Sequence, residues 1–181
     1  YLEWSGNEWL WNAPEYLLTV KIAEKLANID KNKFITLEDN VEKTLDNAGA
    51  KGQGKISSKI RVNGRYDIVL WWAKGDPRAI IEVKHRVYKF ANIEEDIIRI
   101  CETLKRKSSD SSIKYGLIAF YMSKSYKNNA KDKLLKRINE LFKDTQDSVF
   151  GYELNVEKHI EEIYCENDQD VHTAIVFLIK R

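Results

Sequence analysis

The chain has 181 residues, of which 43% are hydrophobic and 32% charged, and its formal net charge is +2. This length fits one domain with a buried core, and the composition is ordinary for a soluble globular protein. No apolar run is long enough to cross a bilayer, and the first residues carry no signal-peptide pattern. We therefore expect a single cytoplasmic domain over residues 1–181.

The two cysteines support the same compartment. Cys101 and Cys165 lie far apart in the sequence, and Cys101 falls on the apolar stripe of a predicted helix. This pattern favours a buried free thiol over a disulfide or a metal site. A chain without disulfides is typical of a reducing, cytoplasmic setting.

The N-terminal part is predicted to be an arm followed by two helices. Residues 1–12 form a tryptophan-rich arm that we expect to dock on the core; it contains Trp4, Trp9 and Trp11. Apolar residues at helical spacing predict a helix over 14–28, with Asn12 and Glu15 placed like a capping box. A shorter helix is predicted over 38–48.

The rest of the chain alternates between strand and helix patterns. Three strands in quick succession are predicted over 55–62, 65–72 and 79–85. Further elements are predicted as a helix over 92–107, a strand over 115–122, helices over 129–143 and 155–164, and a strand over 171–179. This order predicts an α/β fold with helices flanking a central mixed β-sheet. Residues 14–122 form its core, and 128–181 add a C-terminal helix and strand elaboration.

Three ionisable side chains interrupt two strands that otherwise look buried. Asp67 lies in the second predicted strand, and Glu82 and Lys84 lie in the third. Buried charges need a partner, and a metal-bound phosphate would satisfy two carboxylates and an ammonium together. An acid-x-Lys triplet is common by chance, so the strand context of Glu82-Val83-Lys84 carries this interpretation.

The expected hairpin register brings these charges together. A turn centred between Lys74 and Gly75 places Asp67 opposite Glu82, although Pro77 could shift the register. Strand alternation puts Glu82, Lys84 and Ile80 on one face, and Asp67 on one face with Arg65, Val69 and Trp71. Two facing carboxylates are destabilising unless a cation lies between them, and Mg²⁺ prefers such oxygen ligands. The alternative is a salt-bridge cluster of Asp67 or Glu82 with Arg65 or Lys84, and such buried pairs contribute little stability.

Glu15 is a fourth candidate. It heads the apolar stripe of the first helix, so its carboxylate could point toward the sheet and complete a metal site. It could equally be a helix-capping acid that answers Asn12. The sequence leaves both interpretations open.

These features together resemble the PD-(D/E)XK nuclease superfamily, which has the restriction-endonuclease-like fold. The family's αβββαβ core order matches residues 14–122, with Asp67 on one strand and Glu82-Val83-Lys84 on the next. The resemblance implies that Asp67, Glu82, the Val83 carbonyl and Glu15 hold Mg²⁺, for which Mn²⁺ would substitute, and that Lys84 is the catalytic lysine. Tyr66 stands where the family's name has proline, a position that is often different within the family.

The implied function is Mg²⁺-dependent hydrolysis of phosphodiester bonds, with DNA favoured as substrate and an endonuclease favoured as mode. The alternatives are a nuclease that acts on RNA and a catalytically silent nucleic-acid-binding or assembly module on the same fold. The sequence is also compatible with a homodimer. Because it begins with Tyr1 rather than Met, we expect a trimmed chain or a domain of a larger protein.

Basic residues cluster in two segments that could contact a polyanion. No acidic residue occurs between Asp46 and Asp67, and this segment contains Lys51, Lys55, Lys59, Arg61 and Arg65. The second segment contains Lys124, Lys127, Lys131, Lys133, Lys136 and Arg137. Further candidate nucleic-acid contacts are His85, Lys105 and Lys107.

Overall fold

The chain folds into a mixed β-sheet with helices on both faces. A computed structural model describes residues 5–8, 10–29 and 33–181, so Trp4 and Trp9 of the predicted arm lie outside the described residues. The described residues form four α-helices and a seven-stranded sheet, which confirms the predicted α/β class. No helix in this part of the chain is long and apolar enough to span a membrane.

The elements follow in an order close to the predicted one. The helices are α1 (Glu15–Ala27), α2 (Val41–Asn47), α3 (Glu94–Lys105) and α4 (Ala130–Phe150). The strands are β1 (Lys33–Asn40), β2 (Arg65–Trp72), β3 (Pro77–Lys84), β4 (Tyr115–Ser125), β5 (Asn155–Ile160), β6 (Tyr164–Glu166) and β7 (Asp170–Lys180). Short 3-10 helices cover Leu10–Asn12, Ser58–Ile60 and Phe90–Asn92.

The sheet has the order β1-β2-β3-β4-β7-β5, and β6 pairs with β7 beyond this path. All neighbours are antiparallel except β3 and β4, which run parallel. A parallel pair needs a crossover, and α3 provides it between β3 and β4. The carboxyl ends of β3 and β4 therefore meet at the same edge of the sheet.

The two faces of the sheet bury separate apolar clusters. On one face, Ile97 and Ile100 of α3 and Ile138 of α4 belong to the same core as Ile80 and Phe177. On the other face, the apolar stripe of α1 covers the sheet. Its residues Leu18, Ile22 and Ala23 belong to one cluster with the sheet residues Ile68, Ile81 and Val83. The buried stripe predicted for α3 is confirmed, and Cys101 is a buried free thiol as expected.

In the first half of the chain one predicted strand is wrong, and one predicted helix is confirmed with a later start. Residues 55–62 are not a strand, because β1 pairs with β2 along its length and takes the sheet position that the segment would need. The segment forms a loop with a 3-10 helix at Ser58–Ile60, and Arg61 follows in a left-handed conformation. The helix predicted over 38–48 begins only at Val41, where the Asn40 side chain accepts a hydrogen bond from the Lys43 N–H.

The predicted helix over 155–164 is also wrong. Residues Asn155–Ile160 form β5, whose side chains alternate between exposed and half-buried. This period of two suits a strand at the edge of the sheet, and β5 pairs with β7 throughout. The segment contains too few apolar residues for its pattern alone to distinguish a short edge strand from a short helix.

The predicted hairpin register is confirmed over three pairs. Ile68 faces Ile81, Val69 faces Ile80, and Leu70 faces Ala79. A β-bulge between Leu70 and Trp71 absorbs Pro77, so the proline does not change the register further along the hairpin. The next pair in this register would be Asp67 with Glu82, and the ladder ends just before it.

Gly116 allows a close contact between α3 and the sheet. A Cβ atom at this position of β4 would lie 2.4 Å from Ile100 Cγ2 and 3.4 Å from Ile80 Cγ1. We expect Gly116→Ala to lower the free energy of unfolding by about 1–3 kcal/mol, because the methyl group overpacks the core. Urea denaturation measures this change.

The control for this substitution is Gly151→Ala at the end of α4. Its nearest atom would be Ser148 O at 3.9 Å, and its φ of −61° suits alanine. We expect this variant to change the unfolding free energy by less than about 0.5 kcal/mol. Equal stabilities of the two variants would contradict the packing of α3 on β4.

Candidate active site

The predicted site residues meet where β3 ends, between the first turns of α1 and α3. Glu82 and Lys84 come from β3, Asp67 from β2, and Glu15 is the first residue of α1. Asp96 in the first turn of α3 joins them through Lys84. The site therefore draws on both helical layers and lies at the carboxyl end of the parallel pair β3 and β4.

Glu82 is a buried carboxyl group paired with a buried guanidinium. Its side chain is 2% exposed, and Oε1 lies 2.8 Å from Arg99 Nη1. No N–H group is directed at this oxygen, so Oε1 remains a buried acceptor without a hydrogen bond. Burial raises the pKa of Glu82 to about 8, and Arg99 opposes this shift.

Arg99 is held by groups other than Glu82. It donates hydrogen bonds to the carbonyl oxygens of Ile60 at 3.2 Å and of Arg65 at 2.6 Å. Its guanidinium carbon lies 4.6 Å from the centre of the Tyr66 ring. These contacts fix the cation beside Glu82, since they tie it both to the 3-10 helix at Ser58–Ile60 and to the start of β2.

Asp67 takes the place of a backbone acceptor in the hairpin. Its Oδ2 accepts a hydrogen bond from the Val83 N–H at 2.7 Å. In a strand, the N–H and C=O of one residue point toward the same neighbour. The Val83 carbonyl therefore faces the side of β2 on which the Asp67 carboxylate lies.

The predicted alternation of β2 fails around Asp67. Tyr66 belongs to the same core cluster as Val69 and Trp71, and its hydroxyl lies 2.8 Å from the Thr103 hydroxyl of α3. The reason lies in the neighbouring strand, where Glu38 adopts a φ of 52° and the pairing of β1 with β2 skips Glu38 and Asp67. Glu82 and Lys84 do share the α3 face, as predicted, because they contact Arg99 and Asp96.

Lys84 is an ammonium group between two carboxylates. Its Nζ lies 3.4 Å from Asp96 Oδ2 and 3.6 Å from Glu15 Oε1, and its side chain is 26% exposed. Burial by itself would lower the pKa of Lys84, but the carboxylates of Asp96, Glu15, Asp67 and Glu82 outweigh it and raise the pKa. These carboxylates therefore favour the charged form of Lys84.

Glu15 contributes to this network and does not cap its helix. Its Oε2 accepts a hydrogen bond from the backbone N–H of His85 at 2.9 Å. The N-cap of α1 is Pro14, without a side-chain cap, and Asn12 donates to Glu8 at 2.8 Å. The capping box considered from the sequence is wrong, because proline at the cap leaves no role for Asn12.

Sequence reasoning missed Asp96 and Arg99. They are spaced three residues apart beside the apolar stripe of α3, so both face the sheet, and both are buried. Acids in the first turn of a helix are also explained by the macrodipole, which hid the role of Asp96. The available signal was a charged pair of opposite sign at the edge of a buried helix face.

The donors at the site fit a magnesium ion in chemistry but do not form a closed cage. Residues 5–8, 10–29 and 33–181 contain no group of three or more His, Cys, Asp or Glu side chains placed to hold a metal. The carboxylates of Asp67 and Glu82 and the Val83 carbonyl are hard oxygen donors, and Glu82 Oε1 is a buried acceptor without a hydrogen bond. Mg²⁺ usually keeps several waters and needs only one or two carboxylates. Glu15 contacts Lys84 and is not grouped with these donors.

Most of the predicted nucleic-acid contacts are paired with acids. The pairs are Lys51 with Glu42 (2.9 Å), Lys59 with Glu102 (3.7 Å), Arg61 with Glu95 (3.1 Å) and Asp96 (3.4 Å), Lys105 with Glu153 (2.8 Å), and Lys107 with Asp110 (3.8 Å). Lys55 and Arg65 are exposed. The first basic segment thus runs along α3 and reaches the site at Arg61.

His85 and the second basic segment lie on the other side of Lys84. The His85 ring is 5.7 Å from the Trp11 ring and 6.0 Å from the Tyr121 ring, so it packs among aromatic residues. Lys124 lies over the Tyr88 ring, and Arg137 donates to the Tyr88 carbonyl at 2.7 Å. Lys124 and Arg137 of the second basic segment therefore meet at Tyr88, four residues after Lys84.

A comparison with protein-family models, with curated proteins and with solved structures found no match. The chemistry of the site accordingly rests on the residues of this chain.

The raised pKa of Glu82 predicts a pH-dependent stability. Between about pH 4.5 and 8 the carboxyl is ionised in the unfolded chain and protonated in the folded one, so the free energy of unfolding falls as pH rises. Glu82→Gln removes this titration. We compare the free energy of unfolding of Glu82→Gln with that of the wild type at pH 5 and at pH 8. The difference should shift in favour of Glu82→Gln by more than about 1.4 kcal/mol, which corresponds to one pKa unit.

Urea denaturation in EDTA at both pH values measures this difference. Any change in the free energy of unfolding that the substitution causes equally at both pH values cancels in this comparison. Glu94→Gln is the control, because Glu94 is an exposed acid in the same region. A relative stability that does not change with pH would contradict the protonated, buried state of Glu82.

A second prediction concerns the ammonium group. Asp96 is the carboxylate that raises the pKa of Lys84 most, so Asp96→Asn should lower this pKa. An NMR titration that follows the Cε resonance of Lys84 measures the shift. Glu95→Gln is the matched control in the same helical turn and should leave the Lys84 pKa unchanged; equal effects of both variants would contradict the assigned contact.

Proposed function

We propose that this protein is a Mg²⁺-dependent nuclease that hydrolyses phosphodiester bonds, with DNA as the favoured substrate. The observation that carries the proposal is that Glu82 and Lys84 lie on one face at the end of β3, while the Asp67 carboxylate of β2 accepts a hydrogen bond from Val83 between them. An ammonium and two acidic groups at one sheet edge suit a phosphate and a divalent cation.

The arrangement of the elements supports a restriction-endonuclease-like core. α1, β1, β2, β3, α3 and β4 follow the αβββαβ order, with α2 inserted after β1. β1, β2 and β3 form an antiparallel meander, and β4 is parallel to β3. In this arrangement β1 takes the place that the sequence had assigned to residues 55–62.

Each residue of the site has a distinct role in the proposed reaction. Lys84 would contact a phosphate oxygen and stabilise the charge that develops during hydrolysis, while Asp96 and Glu15 hold its ammonium in position. Asp67, oriented by the Val83 N–H, and Glu82 would hold Mg²⁺ together with the Val83 carbonyl. Bound Mg²⁺ supplies charge neutralisation and a lower pKa for a coordinated water.

A second candidate function is a catalytically silent nucleic-acid-binding module on the same fold. The buried contact between Glu82 and Arg99 favours it, because a carboxyl group whose pKa is raised by burial and that already lies beside a cation gains less from a metal. A nuclease requires Glu82 to exchange at least part of its contact with Arg99 for a metal. The two functions differ in whether phosphodiester bonds are broken.

The test is cleavage of supercoiled plasmid DNA with Mg²⁺ or Mn²⁺, with structured RNA assayed in parallel. We expect the wild-type protein to cleave DNA only with a divalent metal. Lys84→Ala should lower the rate by roughly 10²–10³-fold, because it removes a stabilising charge. Asp67→Asn and Glu82→Gln should also lose activity.

Lys21→Ala is the matched lysine control, since Lys21 is an exposed residue of α1 that pairs with Glu24. This variant should cleave at the wild-type rate. Intact DNA and RNA with every metal concentration, combined with DNA binding, would support the silent module instead. Cleavage by Lys84→Ala at the wild-type rate would contradict the proposed site.

A further inference from the structure

A cleft of about 590 Å³ opens beside the candidate active site. It is lined by Trp11 and Asn12 ahead of α1, Tyr88 after β3, Ser123–Ser125 at the end of β4, and Asp170 at the start of β7. A volume of this size is in the range that holds a nucleotide-sized ligand. None of these residues belongs to the group around Lys84.

The cleft lies at the same edge of the sheet as Lys84. Lys84 faces Phe120 in the parallel pair of β3 and β4, so Ser123 is three residues further along β4. At the rise of a strand this is about 10 Å beyond the level of Lys84. His85, which follows Lys84, contacts the Trp11 ring and links the two places. A strand of nucleic acid with a phosphate at Lys84 could therefore extend into the cleft.

The wall of the cleft combines aromatic rings with cations. The Trp11 and Tyr88 rings are 5.0 Å apart and inclined by 45°, so they form an angled surface rather than a stack. Lys124 Nζ lies 5.2 Å from the centre of the Tyr88 ring, and Arg86 lies 5.6 Å from that of Trp11. Sites for single-stranded nucleic acid combine such rings, on which bases stack, with cations that follow the backbone.

The polar groups of the cleft suit the edge of a base better than a phosphate. Asn12 carries an amide, Ser123 and Ser125 carry hydroxyls, and the Ser125 hydroxyl donates to the Asp170 carboxylate. A carboxylate repels a phosphate but accepts hydrogen bonds from the amino groups of bases. Asp170 therefore indicates that the base lies inside and the phosphate outside, next to Lys124.

We propose that this cleft binds one unpaired nucleobase of a nucleic-acid strand, adjacent to the phosphate at Lys84. This inference rests on the proposed function, because it takes the bound strand to be the substrate of the nuclease. In a duplex both faces of each base are stacked, so only single-stranded or locally opened nucleic acid can present a base to Trp11 and Tyr88. The ligand class is thus an unpaired base within a strand.

The first test is fluorescence anisotropy with a labelled single-stranded oligonucleotide and its duplex, both in EDTA to prevent cleavage. We expect the wild-type protein to bind the single strand more tightly than the duplex. Tyr88→Leu should weaken single-strand binding roughly 10-fold, since stacking on one aromatic ring is lost. Tyr88→Phe should keep the affinity within about twofold, because the ring remains.

The matched control is Trp72→Leu. Trp72 is an exposed tryptophan at the opposite end of the sheet, where it contacts Arg78. This variant should bind the single strand like the wild type. Thermal unfolding verifies that each variant is folded, and the abasic scan of the wild-type protein keeps the inference testable if Tyr88→Leu fails to fold.

The second test replaces each nucleotide of the single strand in turn by an abasic site. The wild type should lose affinity mainly at one position, and Tyr88→Leu should show no further loss at that position. A uniform effect along the strand, equal affinity for duplex and single strand, or equally tight binding of a free nucleoside monophosphate would overturn the inference.

The outcomes for the cleft and for the nuclease are separable. Hydrolysis of DNA combined with a uniform abasic scan would reject the base-binding cleft alone. A position-specific scan in EDTA, combined with no hydrolysis under any metal condition, would reject the nuclease and leave the cleft as a binding site.

Discussion

The buried contact between the Glu82 carboxyl and the Arg99 guanidinium is the interaction on which the site depends. A carboxyl group in the interior of a sheet is costly unless a cation accompanies it, and Arg99 brings that cation from α3. The same guanidinium binds the carbonyls of Ile60 and Arg65, so it also joins the loop before β2 to the sheet. One buried cation thus sets the positions of α3, β2 and β3 relative to one another. It also sets the free energy that a metal would have to exceed at Glu82.

The other charges follow from the end of the β2–β3 ladder. The last pair of the ladder is Ile68 with Ile81. Beyond it, the Asp67 side chain serves as the acceptor for the Val83 N–H. This arrangement keeps Asp67 and the Val83 carbonyl on one side, while Lys84 turns toward α3 and α1. Because Asp96 and Glu15 hold the ammonium from both helical layers, it remains charged without contacting the Glu82–Arg99 pair directly. Separate partners for each charge are what allow so many ionisable groups to share one edge of the sheet.

The sequence allowed the shared face of Glu82 and Lys84 to be predicted, because strand alternation is a strong constraint when one face is buried. It did not allow the strand at Lys33–Asn40 to be recognised, and residues 55–62 were assigned that role instead. Both segments have mixed patterns, and only the pairing with β2 decides between them. Arg99 was also missed, since its role depends on contacts to Glu82 and to distant carbonyls that no local pattern encodes.

Diffraction from a crystal soaked in Mn²⁺ shows whether a divalent metal binds at Asp67 and Glu82. The proposed metal site predicts an anomalous peak within coordination distance of the Asp67 and Glu82 carboxylates and the Val83 carbonyl, at about 2.0–2.4 Å. It also predicts that Glu82 moves away from Arg99 in the soaked crystal. A crystal that shows no peak at saturating Mn²⁺ and keeps the Glu82–Arg99 pair intact would contradict a metal-dependent nuclease and support a silent module.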